Sequence, residues 1–401
     1  MRYCISKTHQ IVSTIITAAS LTLSVAVTAA PSAVAVSTAK YATSQYQQAV
    51  IDTLRDMVQF KTVAVAGLEL AKNPEFINFK LYLKQQAQDL GFDYIDYDGV
   101  VVISMGSSTD KLGIITHGDV QPADPRKWHQ SPFILDQSSQ PGKLIARGTE
   151  DDKGAIATAL YAMKAIKDKG VKLDKTIELI VALTEESDWD PFRAFLKQHT
   201  VPQLNITIDS SYPVVVAEKG WNAVNLDFKT KDSWQAPIVA PYISHFSGGM
   251  FTSQIPEDAT VTLNNVSGSI KDLLQQRALQ YPQIKFNFST KNDQFIISAQ
   301  GNSAHSSSPQ DGLNAIAFLA QLVNIEHWPS NDAGALVNFI NQQIGTGIYG
   351  KKFGDIAYQD QFMGPMTLAI TVAKQTEHAI SLNINLRRPV GKTKQLFEQQ
   401  L

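Results

Sequence analysis

Three short apolar, β-branched runs in this chain each end on groups that bind cations. Residues 112–116 lead into Thr116-His117-Gly118-Asp119-Val120, residues 176–184 into Glu185-Glu186, and residues 205–208 into Asp209. A further acidic pair, Asp151-Asp152, stands in Gly148-Thr149-Glu150-Asp151-Asp152-Lys153-Gly154, just ahead of an Ala-rich helical stretch. Residues at the carboxyl ends of parallel strands converge on one crevice. An imidazole and several carboxylates gathered there repel one another unless a cation lies between them. The pattern therefore predicts an α/β fold, with a mostly parallel sheet and a carboxylate-rich metal site.

With 401 residues the chain has room for two domains. Its net charge of −2 provides no basic surface for nucleic acid or an anionic membrane. The single cysteine, Cys4, lies in the leader. Thiol catalysis, disulfides and Cys-type zinc sites are thus excluded from a mature chain, and any metal falls to His and carboxylates. Arg2 and Lys7 precede an uncharged stretch over 11–30, and Ala33-Val34-Ala35 is an A-x-A-like cleavage site. Residues 1–35 read as a secretory signal, so export to the periplasm or the medium is expected. An uncleaved single-span anchor is the alternative, and the Thr and Ser residues in the stretch weigh against it.

Helical spacing covers residues 44–59, 74–90 and 155–167, and strand-like runs cover 100–105, 112–116, 144–146, 176–184 and 205–208. Alternating strands and helices predict a first domain over 40–220, its sheet covered on both faces. After Gly220 the texture changes. Strands at 221–229, 260–263, 285–289, 295–300, 366–372 and 378–386, with helices at 270–281 and 312–323, predict an inserted α+β lid domain over 221–388. Residues 331–358 read as a loop. At Pro389 the chain is expected to turn back towards the first domain, with 389–401 the start of that return.

Taken singly, each motif has a bland reading. His-x-Asp alone is a buried histidine in a polar turn, Asp151-Asp152 a helix start with favourable acidic residues, Glu185-Glu186 a solvated loop, and Asp209 an N-cap or turn residue. Together they offer more. His117 can ligate a metal through one nitrogen while Asp119 holds the other. The oxygens of a carboxylate at Asp151 can each take one cation. In extended backbone, neighbouring Glu side chains point to opposite sides, so one can face a metal and the other a water above it.

In this order the motifs resemble the M20 metallopeptidases, most closely the bacterial dipeptidases of the PepV type. The resemblance rests on Thr116-His-Gly-Asp-Val-Gln-Pro-Ala123, Trp128-x-x-x-Pro-Phe133, Arg147-Gly-Thr-Glu-Asp-Asp-Lys-Gly154, Thr184-Glu-Glu186, Asp209, Gly301-Asn-Ser-Ala-His-Ser-Ser-Ser-Pro309, Gly312 and Asn314-Ala315. It implies a dipeptidase holding two zinc ions, with cobalt or manganese as possible substitutes. His117 and Asp209 would bind the first ion, Asp151 would bridge, and Glu186 would bind the second. Glu185 would be the general base and Asp119 the partner of His117. His305 would stabilise the oxyanion and Arg387 would hold the substrate carboxylate. A loop histidine beside serines and a solvated Arg387-Arg388 pair are the bland alternatives for these two. The length of the insert resembles that of the monomeric members, so a monomer acting on small peptides is expected. The rivals are a carboxypeptidase or N-acyl-amino-acid deacylase of the same family and, in another class, a non-catalytic peptide- or metal-binding protein.

The chain departs from the family pattern in two places. Ser253, in Gly248-Gly-Met-Phe-Thr-Ser-Gln-Ile-Pro256, stands where an Asn is expected. No His follows His378, whereas the family places its last zinc-ligand His near the C-terminus. The expectation drawn from this is a truncated M20 dipeptidase with weak or absent activity.

Overall fold

The computed structural model describes residues 30–231, 234–325, 328–329, 331–376 and 379–401. It divides into two compact units between Tyr212 and Pro213.

The first unit opens on α1 (Ala33–Met57), capped by Ser32, whose hydroxyl accepts from the Ala35 amide at 3.1 Å. The helix starts well before the predicted residue 44. Its early turns are Ala-rich and exposed, so they carry helix propensity without an apolar stripe. The A-x-A motif at 33–35 forms its first turn, while the rest of the predicted signal, residues 1–29, lies outside the described residues. Among the described residues no helix is long and apolar enough to cross a membrane.

Next comes α2 (Pro74–Leu90), as predicted. Asn73 caps it, Pro74 opens it, and Gly91 ends it at φ +72°. Phe76, Phe79, Leu83, Ala87 and Leu90 recur at helical spacing and are buried. β1 (Asp93–Asp96), β2 (Val100–Met105), β3 (Lys111–His117), α3 (Lys153–Asp168), β4 (Thr176–Ala182), α4 (Asp190–Gln198) and β5 (Leu204–Thr207) follow. The sheet order is β1-β2-β4-β3-β5. The predicted α/β unit is present and its sheet is mixed: β3 runs parallel to β4 and β5, while β2 is antiparallel to β1 and β4. The predicted strand at 144–146 is only an isolated bridge between Ile145 and Asp136.

Alternation along the strands sorts the core between the two faces. Val101, Ile103, Leu179 and Val181 pack with Met57, Phe79, Leu83, Ile156 and Leu160 of the helices. Val100, Val102 and Ile180 face Phe195 of α4. Asp136 fastens the long β3–α3 connection. Its carboxylate accepts from the Ser138 and Ser139 amides at 2.8 and 3.0 Å.

The second unit holds β6 (Gly220–Lys229), β7 (Tyr242–Gly248), β8 (Asp258–Asn264), α5 (Gly268–Ala278), β9 (Lys285–Lys291), β10 (Gln294–Gln300), α6 (Ala315–Leu322), α7 (Asp332–Phe339), the short pair β11 (Gln359–Asp360) and β12 (Gly364–Pro365), β13 (Thr367–Gln375), β14 (Ala379–Arg388) and α8 (Lys394–Gln400). Its seven-stranded antiparallel sheet has the order β6-β14-β13-β7-β8-β10-β9. This is the α+β texture expected.

Two expectations need correction. Residues 331–358 are not all loop, because α7 lies within them, capped by Asn331, whose side chain accepts from the Gly334 amide. A glycine inside the helix hid it, yet the packing demands that glycine: a Cβ at 334 would lie 2.0 Å from the Pro329 carbonyl. Residues 389–401 do not return to the first unit. They belong to the second, where α8 buries Phe397 in the core with Ile356, Met366 and Leu386.

Two measurements probe these anchors. Phe397→Ala is expected to destabilise the second unit by about 3–5 kcal/mol in urea unfolding. Backbone donors and Ser139 hold the Asp136 carboxyl well below the usual carboxylate range. A lowered folded pKa gives stability that is present above the unfolded value, ~3.9, and is lost as pH falls through the folded one. Asp136→Ala should therefore lower Tm at pH 7, with the variant and parent melting curves converging in strong acid.

Candidate metal centre

The site in the first unit is assembled at the ends of β3, β4 and β5 and the start of α3. His117 is the last residue of β3 and is 1% exposed. The turn after it is pinned by Thr62, whose hydroxyl donates to the Gly118 carbonyl at 2.7 Å and whose own carbonyl accepts from the Val120 amide at 2.9 Å. Gly118 has no room for a side chain, since a Cβ would lie 2.4 Å from the Phe79 ring.

One imidazole nitrogen of His117, Nδ1, donates to the Asp119 backbone carbonyl at 3.0 Å, with the Asp119 carboxylate at 3.4 Å. The other, Nε2, lies 2.8 Å from Asp151 Oδ1 and 3.7 Å from Asp209 Oδ2. Ligand atoms of His117, Asp151 and Asp209 all fall within 4.8 Å of one another, a spacing one cation can occupy. Asp151 and Glu186 are close enough for their charges to act on each other. Glu185 lines the same cleft as His117 and Asp209, with Ile115, Trp189, Phe192 and Thr207 as neighbours.

Asp119 does something the His-x-Asp pattern does not announce. Its two carboxylate oxygens accept from the Glu185 and Glu186 amides at 3.0 and 2.9 Å. The carboxylate clamps the Glu185-Glu186 turn, and the backbone carbonyl of Asp119 orients His117. Asp119 thus reaches the imidazole mainly through its main chain.

The electrostatics are those of a crowded acidic site. Burial opposes charge on His117, yet Asp119 and Asp151 push it up to about 12. Burial raises Glu185 to about 6, and burial together with Asp151 raises Glu186 to about 7. Asp152, joined to Asp151 by a cis peptide, is raised to about 7 by burial and accepts from the Thr116 hydroxyl. A cation bound among these groups would relieve the repulsion between them, and metal binding to such groups releases their protons. The donor set, one imidazole with oxygen ligands, suits zinc and other divalent ions.

Lys153 is fully buried beneath this cluster. Its ammonium donates to the Phe60 carbonyl at 2.6 Å and lies 5.1 Å from the Phe79 ring centre. Gly154 allows α3 to start here, because a Cβ would meet the Thr149 carbonyl at 2.1 Å.

The other predicted residues belong to the second unit. His305 Nδ1 pairs with the Ser307 hydroxyl at 2.6 Å, and its segment bridges to Gln254. Ser253 accepts there from the Ser306 amide at 2.7 Å. Arg387 and Arg388 are separated by strand alternation. Arg388 lies 4.9 Å over the Phe397 ring, while Arg387 is largely buried beside Glu218, at 3.6 Å, with no hydrogen-bond partner for its Nε among the described residues. A solvated arginine pair is therefore not what the structure has.

Sequence reasoning gave no role to Thr62, Thr116 or Gln121. Thr116 and Gln121 lie inside the quoted Thr116–Ala123 motif. Gln121 donates to Glu186 Oε2 at 2.9 Å. Thr62 had no signal, since it acts from the α1–α2 connection.

Comparison with known proteins fixes the family. The profile of peptidase family M20/M25/M40 matches residues 113–369, more than half of the chain, and the chain belongs to that family. It is 29% identical over 306 residues to the Beta-Ala-Xaa dipeptidase of Lactobacillus delbrueckii subsp. lactis, a match covering 75% of this chain and 63% of that one. It is 28% identical over 353 residues to YtjP of Bacillus subtilis, a protein provisionally named a dipeptidase, with 84% of this chain and 73% of that one covered. The solved structure of human carnosine dipeptidase 1 aligns over 92% of this chain and 76% of its own, at 13% identity and a TM-score of 0.47.

Removing the Asp119 side chain would leave the half-buried Glu185 and Glu186 amides without their acceptor. Asp119→Ala is expected to cost about 1–3 kcal/mol for each orphaned donor. A urea unfolding curve of the first unit measures it.

Proposed function

We propose that this chain is a metal-dependent peptidase that cleaves dipeptides. The observation that carries the reading is the meeting of His117, Asp151 and Asp209 within ligating distance, beside Glu185 in one cleft. The dipeptidase names of the two relatives support the substrate class.

In this reading His117 and Asp209 would hold one zinc ion and Glu186 a second, with Asp151 available to both. Bound ions would acidify a water and polarise the scissile carbonyl. The remaining work falls to the protein. Glu185, which lines the same cleft as His117 and Asp209, takes the proton of the attacking water and delivers it to the leaving amine. Partial burial suits it to that exchange, because its carboxyl is raised to about 6, nearer neutrality than an ordinary glutamate. Asp119 keeps Glu185 and Glu186 on their respective sides by holding both amides. His305 as an oxyanion donor and Arg387 as the carboxylate-binding group remain part of the proposal on family resemblance. The near-buried guanidinium of Arg387, 12% exposed, supports its role, since a desolvated arginine gains most from a carboxylate partner.

The test is a side-by-side assay of the purified chain on dipeptides, N-acyl amino acids and longer peptides with added zinc. Any dipeptide turnover, however weak, is expected to be abolished by a chelator and restored by zinc. Glu185→Gln should lower kcat/KM by about 10²–10⁴-fold while metal content stays unchanged. Turnover that persists in the chelated protein would overturn the reading.

A further inference from the structure

Glu186 does not stand alone against Asp151. The Gln121 side-chain amide donates to Glu186 Oε2 at 2.9 Å and reaches the Glu186 carbonyl at 3.3 Å. The residue after it, Pro122, gives its carbonyl to the Arg147 guanidinium at 3.4 Å. That guanidinium also lies 5.8 Å from the Trp128 ring centre. The Arg147 Nε is buried with no hydrogen-bond partner among the described residues, and its charge acts on both Asp151 and Glu186. Residues 121–128 and Arg147 therefore form a bracket around one carboxylate. The Trp128 motif gains a physical role in it: the ring supports the arginine that stands behind the acidic pair.

A carboxylate on a two-carbon stem has several rotamers, and only some point an oxygen at Asp151. Bonding one oxygen to Gln121 fixes the stem and leaves the other oxygen free to ligate. Partners of this kind set the orientation of metal ligands. We infer that Gln121, backed by Arg147 on Trp128, is a positioning residue that orients Glu186 as a metal ligand. The inference rests on the metallopeptidase reading above and concerns the ion rather than the peptide.

The test reads metal directly. Cobalt is titrated into the metal-free 401-residue chain and followed by the visible absorption of the bound ion, with a melting curve of the metal-free protein alongside. In Gln121→Leu, which keeps the bulk and removes the donor, the cobalt Kd is expected to rise about tenfold or more. The melting curve should stay in place. Gln121→Asn keeps the amide one carbon short of Glu186 and should also weaken cobalt binding, so it serves if the Leu variant does not fold. A Kd within twofold of the parent in a folded variant overturns the inference alone. A parent chain that binds no cobalt overturns the metallopeptidase reading and the inference with it.

Discussion

The carboxylate of Asp119 is the fastening on which the rest of the site depends. It is 1% exposed, so its charge must be matched by donors, and the Glu185 and Glu186 amides supply them. Those amides belong to the turn after β4, while Asp119 belongs to the turn after β3. Parallel pairing brings the two turns side by side, since His117 lies opposite Ala182 in the register. One buried anion thus ties two strand ends together, and its own backbone carbonyl aims the imidazole of His117. The acidic residues around it meet because the sheet delivers them there. Their mutual repulsion is the reason the site calls for cations.

The layering beneath explains why so crowded a site is tolerated. Lys153 and Phe79 lie under the turn, and Thr62 holds it from the α1–α2 connection. A buried ammonium with a carbonyl partner is costly to place, so it sits where α2, α3 and the β3 turn already converge. Most of the packing belongs to α1, α2 and α3 against one face of the sheet, which leaves the strand ends open for chemistry.

Much of this was legible in the chain because it is periodic. Helix α2 has a cap, a proline, a stripe and a terminal glycine, and its limits follow from those residues. The apolar runs before His117, Glu185 and Asp209 located the strands, and their order implied that the acids gather. What escaped had no periodic signal. The exposed first turns of α1 are rich in alanine and have no buried apolar stripe. Helix α7 contains a glycine that only its packing explains. The destination of residues 389–401 turns on one aromatic, Phe397, finding the second core. At the site, donors such as Thr62 and Gln121 are ordinary residues whose partners are distant in sequence. Charge alone could not separate Arg387 from Arg388, whereas strand alternation does.

The glycine at 118 has a consequence for how this site can change over generations. Every amino acid within one nucleotide of a glycine codon carries a Cβ, and here that atom would meet the Phe79 ring. Yielding would shift an aromatic that also stacks beneath Lys153. The turn is therefore walled off from gradual mutational drift, and a new occupant would need a compensating change at Phe79 in the same lineage.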